Sequence, residues 1–168
     1  MIGLLRLDGR NAPVRMAAIA RVALVPVLIL FEALETQPSA PDLWFTDSLL
    51  YLLTAYAIAG GAYAFLARRE LPLMPFAVVD TLLLALIMCG EGGTTSDVRY
   101  MLFVPVLVAV LTGPRLTLGL SVLSVVAYVA ASVVHPAFAR EVPVHVLAVH
   151  TLDLAWRAAV AVVVAILL

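Results

Sequence analysis

Six apolar runs, each near the length of a membrane crossing, follow one another along 168 residues. That succession constrains the fold more than any other feature. The hydrocarbon core of a bilayer is about 30 Å thick and takes about 20 helical residues to cross. The runs read as spans over 14–34, 48–67, 72–89, 97–112, 116–134 and 146–168. No water inside a bilayer can serve backbone N–H and C=O groups, so each run must satisfy them within itself, as a helix. The expected fold is all-α, an integral membrane bundle of six transmembrane helices forming a single domain over 1–168. Composition agrees. The chain is 64% hydrophobic and 12% charged, where soluble domains carry about 25% charged residues, and its mean hydropathy is +1.12. A soluble domain of this size could not hide so much apolar surface. Six spans leave only short connections, so no soluble catalytic domain fits and no enzyme is expected within the chain.

Proline and glycine punctuate the runs. Pro26 falls late in the first, Pro72 opens the third, and Gly113-Pro114-Arg115 makes a tight break before the fifth. The fourth run is short, about 24 Å as helix, and Pro105 is expected to kink it or to make part of it re-entrant. The first run reads as a span and not as a cleaved leader, because no small-residue cleavage site follows it and further spans come after.

All ten basic residues are arginine, and with eleven acids the net charge is −1. No basic surface for nucleic acid results. The positions of the arginines set the orientation. With the N-terminus inside, Arg6, Arg10, Arg15, Arg68, Arg69 and Arg115 flank spans on the cytoplasmic side, while Arg99 and Arg140 lie outside. The positive-inside rule then gives N-in and C-in. The last run stops at Ala165-Ile166-Leu167-Leu168 without a charged flank. The chain is therefore expected to be the N-terminal membrane part of a longer protein, with an output domain after residue 168.

Four charges fall at depth: Arg21, Asp80, Asp153 and Arg157. A charge at the bilayer centre costs roughly 2.5–3.5 kcal/mol, so these side chains are expected to face the bundle and pair. Asp153 and Arg157 are spaced i,i+4 with the acid first, the better order for a helical ion pair, and His150 shares their face. Asp80 is left for Arg21 or for a shared site with Arg157. The network Arg21, Asp80, His150, Asp153 and Arg157 reads either as an ionic clasp fixing helix register or as a polar cavity wall that senses protons or a headgroup. Span five carries Thr117, Ser121, Ser124, Tyr128 and Ser132 on one face, and span two offers the small pairs Ala57/Gly61 and Gly60/Ala64. Both patterns favour close helix contact in lipid. His135, His145 and His150 do not fall on adjacent turns, and no metal site is expected. The single Cys89 forms no internal disulfide and reads as a small apolar residue near a helix end.

From Asp80-Thr81-Leu82-Leu83-Leu84 the chain passes through Gly92-Gly93-Thr94-Thr95-Ser96 and Leu102-Phe103-Val104-Pro105-Val106-Leu107 to Thr112-Gly113-Pro114-Arg115. This stretch resembles the N-terminal multi-span sensor region of bacterial sensor histidine kinases, distantly the RegB/PrrB type, a region also found ahead of diguanylate cyclases. In that group an aspartate opens the core of the third span and a Gly-Gly turn lies outside. A proline-containing span then returns to glycine and arginine at the cytoplasmic face. The redox-responsive type carries Gly-Gly-x-x-Asn-Pro-Phe at this turn, associated with ubiquinone. Here Gly92 and Gly93 match, while Ser96, Asp97 and Val98 stand in place of Asn-Pro-Phe. A quinone is the one cofactor the resemblance brings in, and it rests on those two glycines.

The resemblance implies a signal-sensing input domain in the bacterial inner membrane, homodimeric through its parent protein and reaching a response regulator only through the kinase that follows. The turn makes Gly92, Gly93, Thr94, Thr95, Asp97 and Arg99 the candidate signal site. Glycine supplies unusual backbone angles and Thr95 or Ser96 caps the next helix, or free N–H groups and Arg99 meet an acceptor. Two other functions fit the same span count: a substrate-binding subunit of a vitamin-type uptake transporter, and a membrane scaffold whose only partner is the lipid bilayer.

Overall fold

The structure, a computed structural model, describes residues 11–34, 43–66, 71–90, 97–134 and 144–168. Nearly all of these are helical, and none is in a strand. The elements are α1 (Ala12–Leu34), α2 (Leu43–Leu66), α3 (Leu73–Gly90), a 3-10 helix (Asp97–Phe103) that runs into α4 (Val104–Val110), α5 (Pro114–Val134) and α6 (Val144–Leu167). Four windows, Ala12–Leu30, Ser48–Leu66, Pro114–Val134 and Val144–Leu167, are long and apolar enough to cross a membrane, while Leu73–Cys89 and Val98–Val110 are shorter. The boundaries expected from the apolar runs shift by a few residues at most of the helix ends. The largest shifts of these ends sit at the N-termini of α1, α2, α5 and α6, where helix begins two to five residues before the apolar run does.

Burial sorts the side chains as lipid would. Leu30, Ile58, Val122, Leu152 and Trp156 point outward, whereas Arg21, Asp80, Thr81, Thr117, Ser121, Ser124 and Ser132 are buried. Water selects the opposite distribution; an apolar exterior around internal polar groups belongs to a membrane protein. Helix directions follow from the contacts. Asn11 Oδ1 accepts from the Leu71 N–H and Arg21 meets Asp80, so α1 and α3 run parallel at a nearly constant offset. Arg15 packs over Phe65 and Arg21 over Tyr56, so α2 runs antiparallel to α1.

The expectation of one α-helix over 97–112 is corrected. Residues 97–103 form a seven-residue 3-10 helix, and only Val104–Val110 is α-helical. Pro105 sits at the first turn of α4, where its missing N–H costs no helical bond, so it starts the α-helix and does not kink it. A 3-10 ladder still needs an N–H from residue 105 at the carbonyl of Leu102, which proline cannot give. The Ser124 hydroxyl of α5 donates to that carbonyl at 3.0 Å. Beyond α4, the N–H groups of Leu111, Thr112 and Gly113 fold back on Val108 and Ala109 carbonyls. Gly113 then turns the chain at φ +128°, an angle open to glycine, and Pro114 starts α5.

The main core gathers Leu28, Leu84, Ile87, Met88, Leu102 and Tyr128, with half-buried Cys89 at its rim. The hydroxyl face of α5 is wholly buried, Thr117, Ser121, Ser124, Tyr128 and Ser132 alike. Ala57, Gly60, Gly61 and Ala64 of α2 are buried as well. A Cβ at Gly60 would lie 3.9 Å from Arg21 Nη1, and one at Gly61 4.0 Å from Val22. The small residues of α2 therefore let α1 approach and bring an arginine against the helix backbone.

Candidate functional site

The five charged or titratable residues grouped as one intramembrane network separate into two sites. Arg21 of α1 takes Asp80 of α3, its Nε donating to Oδ1 at 2.6 Å. The alternative of a site shared between Asp80 and Arg157 is not what the helices make. Both side chains are buried, Arg21 at 4% exposure, because the parallel α1 and α3 bring Arg21, ten residues past Asn11, level with Asp80, nine past Leu71. Tyr56 and Phe76 cover the guanidinium, their ring centres 5.3 and 5.2 Å away, which spreads the cation's field over two π faces. The Tyr56 hydroxyl lies against the Asp80 carboxylate and 3.4 Å from the Phe76 carbonyl oxygen. Buried this far, the pair holds α1, α2 and α3 in register, since removing either charge strands the other.

The second site lies toward the other end of the fourth segment. Arg157 Nε donates to Asp153 Oδ2 at 3.0 Å, the i,i+4 pair expected from the spacing. Its direction corrects the expectation that it faces the bundle interior: the side chains of Arg157 and Asp153 are 51% and 41% exposed. A local i,i+4 pair neutralises itself on one helix surface and needs no partner helix. Its apolar stem and charge instead reach sideways to the 3-10 helix, where Arg157 stands over the Tyr100 ring at 5.4 Å. Arg99 stands over the same ring at 4.6 Å, and its Nη2 donates to the Tyr100 hydroxyl at 3.0 Å. Arg99, Tyr100, Tyr128, His150, Asp153 and Leu154 line a small pocket of which about 10 Å³ is wide enough to seat water. The structure thus brings Arg99 of the candidate signal turn together with His150, Asp153 and Arg157 of the candidate polar network.

Gly92, Gly93, Thr94 and Thr95 of that turn lie outside the described residues, as does the side chain of Asp97. The same holds for His135 and for the loop arginines at 6, 10, 68, 69 and 140. Among the described residues no three His, Cys, Asp or Glu side chains converge as metal ligands would. Sequence reasoning missed three aromatic residues. Tyr56 and Phe76 are ordinary span residues by composition, and only helix order brings them to Arg21. Tyr100 carried a signal that was open to use, an aromatic beside an arginine at the end of a span, where interfacial rings collect. No protein-family model, no curated protein and no solved structure matches the chain.

Proposed function

We propose that this chain is the membrane-embedded input domain of a bacterial two-component sensor histidine kinase. It sits in the inner membrane with both ends facing the cytoplasm, and works as a homodimer through its parent protein. The observation that carries the reading is the contact between the start of the fourth segment and the last helix. Arg99 and Arg157 share the Tyr100 ring, so a signal that moves the 3-10 helix is handed directly to α6. A packed helix answers such a push by translating or rotating as a body, and α6 is the helix from which a kinase would follow. The arginine distribution supports the orientation. A vitamin-uptake subunit needs an enclosed cavity for its cargo, usually about 300–1,000 Å³. The internal cleft beside Arg21 has about 20 Å³ wide enough to seat water, and the larger hollow of about 380 Å³ lined by Phe103, Leu107, Trp156 and Arg157 is an open groove between α4 and α6.

The test is a chimera of the full chain fused after α6 to a histidine-kinase module with a transcriptional reporter. Arg99→Gln and Tyr100→Leu are each expected to change reporter output several-fold at equal membrane levels. Unchanged output from both variants, in a chimera that responds to growth conditions, would remove the relay. Alkaline phosphatase and fluorescent-protein fusions at residues 45, 94 and 140 test the topology. Phosphatase activity at all three is the result expected for N-in and C-in.

A further inference from the structure

α6 carries its charged pair on a flank that the described residues leave uncovered. Asp153 and Arg157 are the tenth and fourteenth of its 24 residues, so each lies about 13 Å or more of helix from either end. Both are half-exposed, and Trp156, Val160 and Val164 beside them are exposed apolar side chains. Only 22% of α6 is buried inside the chain, against 33–44% for the other three long spans. Arg157 spends Nε on Asp153 and stands over Tyr100, which leaves Nη1 and Nη2 without a hydrogen bond to a described residue. Hydrocarbon at that depth offers no acceptor for those N–H groups and no donor for the carboxylate.

The same flank forms one wall of the open groove whose other wall is Phe103, Leu107 and Val110. About 380 Å³ of the groove is wide enough to seat water, and it extends over seven residues of helix, about 10 Å. Trp156, Val160 and Val164 follow one another at i, i+4 and i+8, the row that stands as a ridge on a helix surface. Ala161, also in the lining, is small enough for a facing helix to come close. Ridge and groove thus stand side by side on one surface, the arrangement that a two-fold axis turns into a self-complementary contact. Charge points to the same occupant. A second copy inserted in the same direction brings its own Asp153 and Arg157 to the same depth, one acid and one base whose charges sum to zero.

We propose that α6 of a second copy lays this ridge into the groove while its own groove receives the ridge in return, and that Arg157 of each copy takes Asp153 of the other. Four charges then close a ring between the chains in place of two half-exposed pairs. The dimer is thereby a property of the membrane chain itself and not of a kinase that follows it. The proposal does not rest on the sensor reading, because association is measured with no kinase attached and needs no relay through Tyr100.

The experiment uses the purified full chain, singly labelled, in liposomes, with the dimer fraction read from photobleaching steps as the chain is diluted in lipid. A dimer that dissociates on dilution is expected. Leu107→Trp fills the groove from its exposed lip, and Asp153→Asn removes the charge offered to the other copy. Each is expected to weaken association at least tenfold, with thermal unfolding of the detergent-dispersed monomer close to that of the parent chain. Ile58→Trp, at an exposed position of α2, is expected to associate as the parent does. Cross-linking in a Cys89→Ser background reads the geometry, with Val160→Cys expected to form a disulfide-linked dimer under mild oxidation at least tenfold faster than Ile58→Cys. Chains that stay single at every dilution would overturn the proposal and give the groove to lipid. Full association of Leu107→Trp or of Asp153→Asn, or equal cross-linking at positions 160 and 58, would overturn it as well and put any dimer on another face.

Discussion

Replacing Asp80 by leucine strands a guanidinium that is 4% exposed, against two aromatic rings and with no other carboxylate described near it. Truncating one partner of a buried pair costs about 3–5 kcal/mol, the same scale as the roughly 2.5–3.5 kcal/mol for a lone charge at the bilayer centre. Asp80→Leu is therefore expected to lose about 3 kcal/mol or more. The double variant Arg21→Met/Asp80→Leu removes both charges and fills their volume, and buried pairs replaced in that way are often neutral or better. It should fall within about 1 kcal/mol of the parent chain, a coupling of about 2 kcal/mol or more between the two sites. Reversible unfolding by dodecyl sulfate in mixed micelles, followed by far-ultraviolet circular dichroism, gives all the free energies on one scale. The half-exposed pair on α6 is the internal contrast, with Asp153→Ala and Asp153→Asn expected to behave alike and to cost no more than about 1 kcal/mol. A double variant as unstable as Asp80→Leu alone would refute the clasp, as would an Asp80→Leu loss below about 1 kcal/mol.

Ser124→Ala removes the hydroxyl that serves the Leu102 carbonyl and is expected to cost about 1 kcal/mol. Pro105→Ala supplies a backbone N–H in its place, so a double-mutant cycle in the same micelles should give a smaller loss for the pair than the two single losses summed. At the α1–α2 contact, Gly60→Ala adds a methyl at ordinary contact distance, 3.9 Å from Arg21 and Tyr56, and should change stability by under about 1 kcal/mol. Gly60→Leu should instead push α1 off α2 and lower the thermal unfolding temperature sharply. Gly113→Ala forces a side chain into φ +128° although nothing crowds the site, and the strain of about 1–3 kcal/mol should appear as lost stability with no change in helix content.

The number of helices and most of their extents were legible because apolar length alone decides them. The one large departure, at 97–103, turns on hydrogen-bond bookkeeping that the apolar pattern does not carry, since Pro105 cannot serve Leu102 and a serine 22 residues later does. Depth gave away Arg21, Asp80, Asp153 and Arg157 as residues that must be neutralised. Which of them would meet was readable for Asp153 and Arg157, whose partner lies one turn away on the same helix. For Asp80 it was not, because the choice of Arg21 depends on α1 and α3 running side by side in parallel. The same dependence hid Tyr56 and Phe76, whose role exists only once three helices are assembled.

The 3-10 helix has a consequence for the membrane itself. Seven residues in that form reach about 14 Å, where an α-helix of seven would reach about 10.5 Å. The fourth segment is the shortest of the apolar helical segments, and its narrower coil lengthens it by about 3.5 Å without adding a residue. Rewinding it to α would shorten the crossing by that amount and carry Arg99 and Tyr100 around the helix axis by about 20° per residue. Mismatch between a span and its bilayer costs a fraction of a kcal/mol per ångström. Where this segment crosses a bilayer, thickness would act as a force on its winding, thick membranes favouring the drawn-out form and thin ones the coiled form.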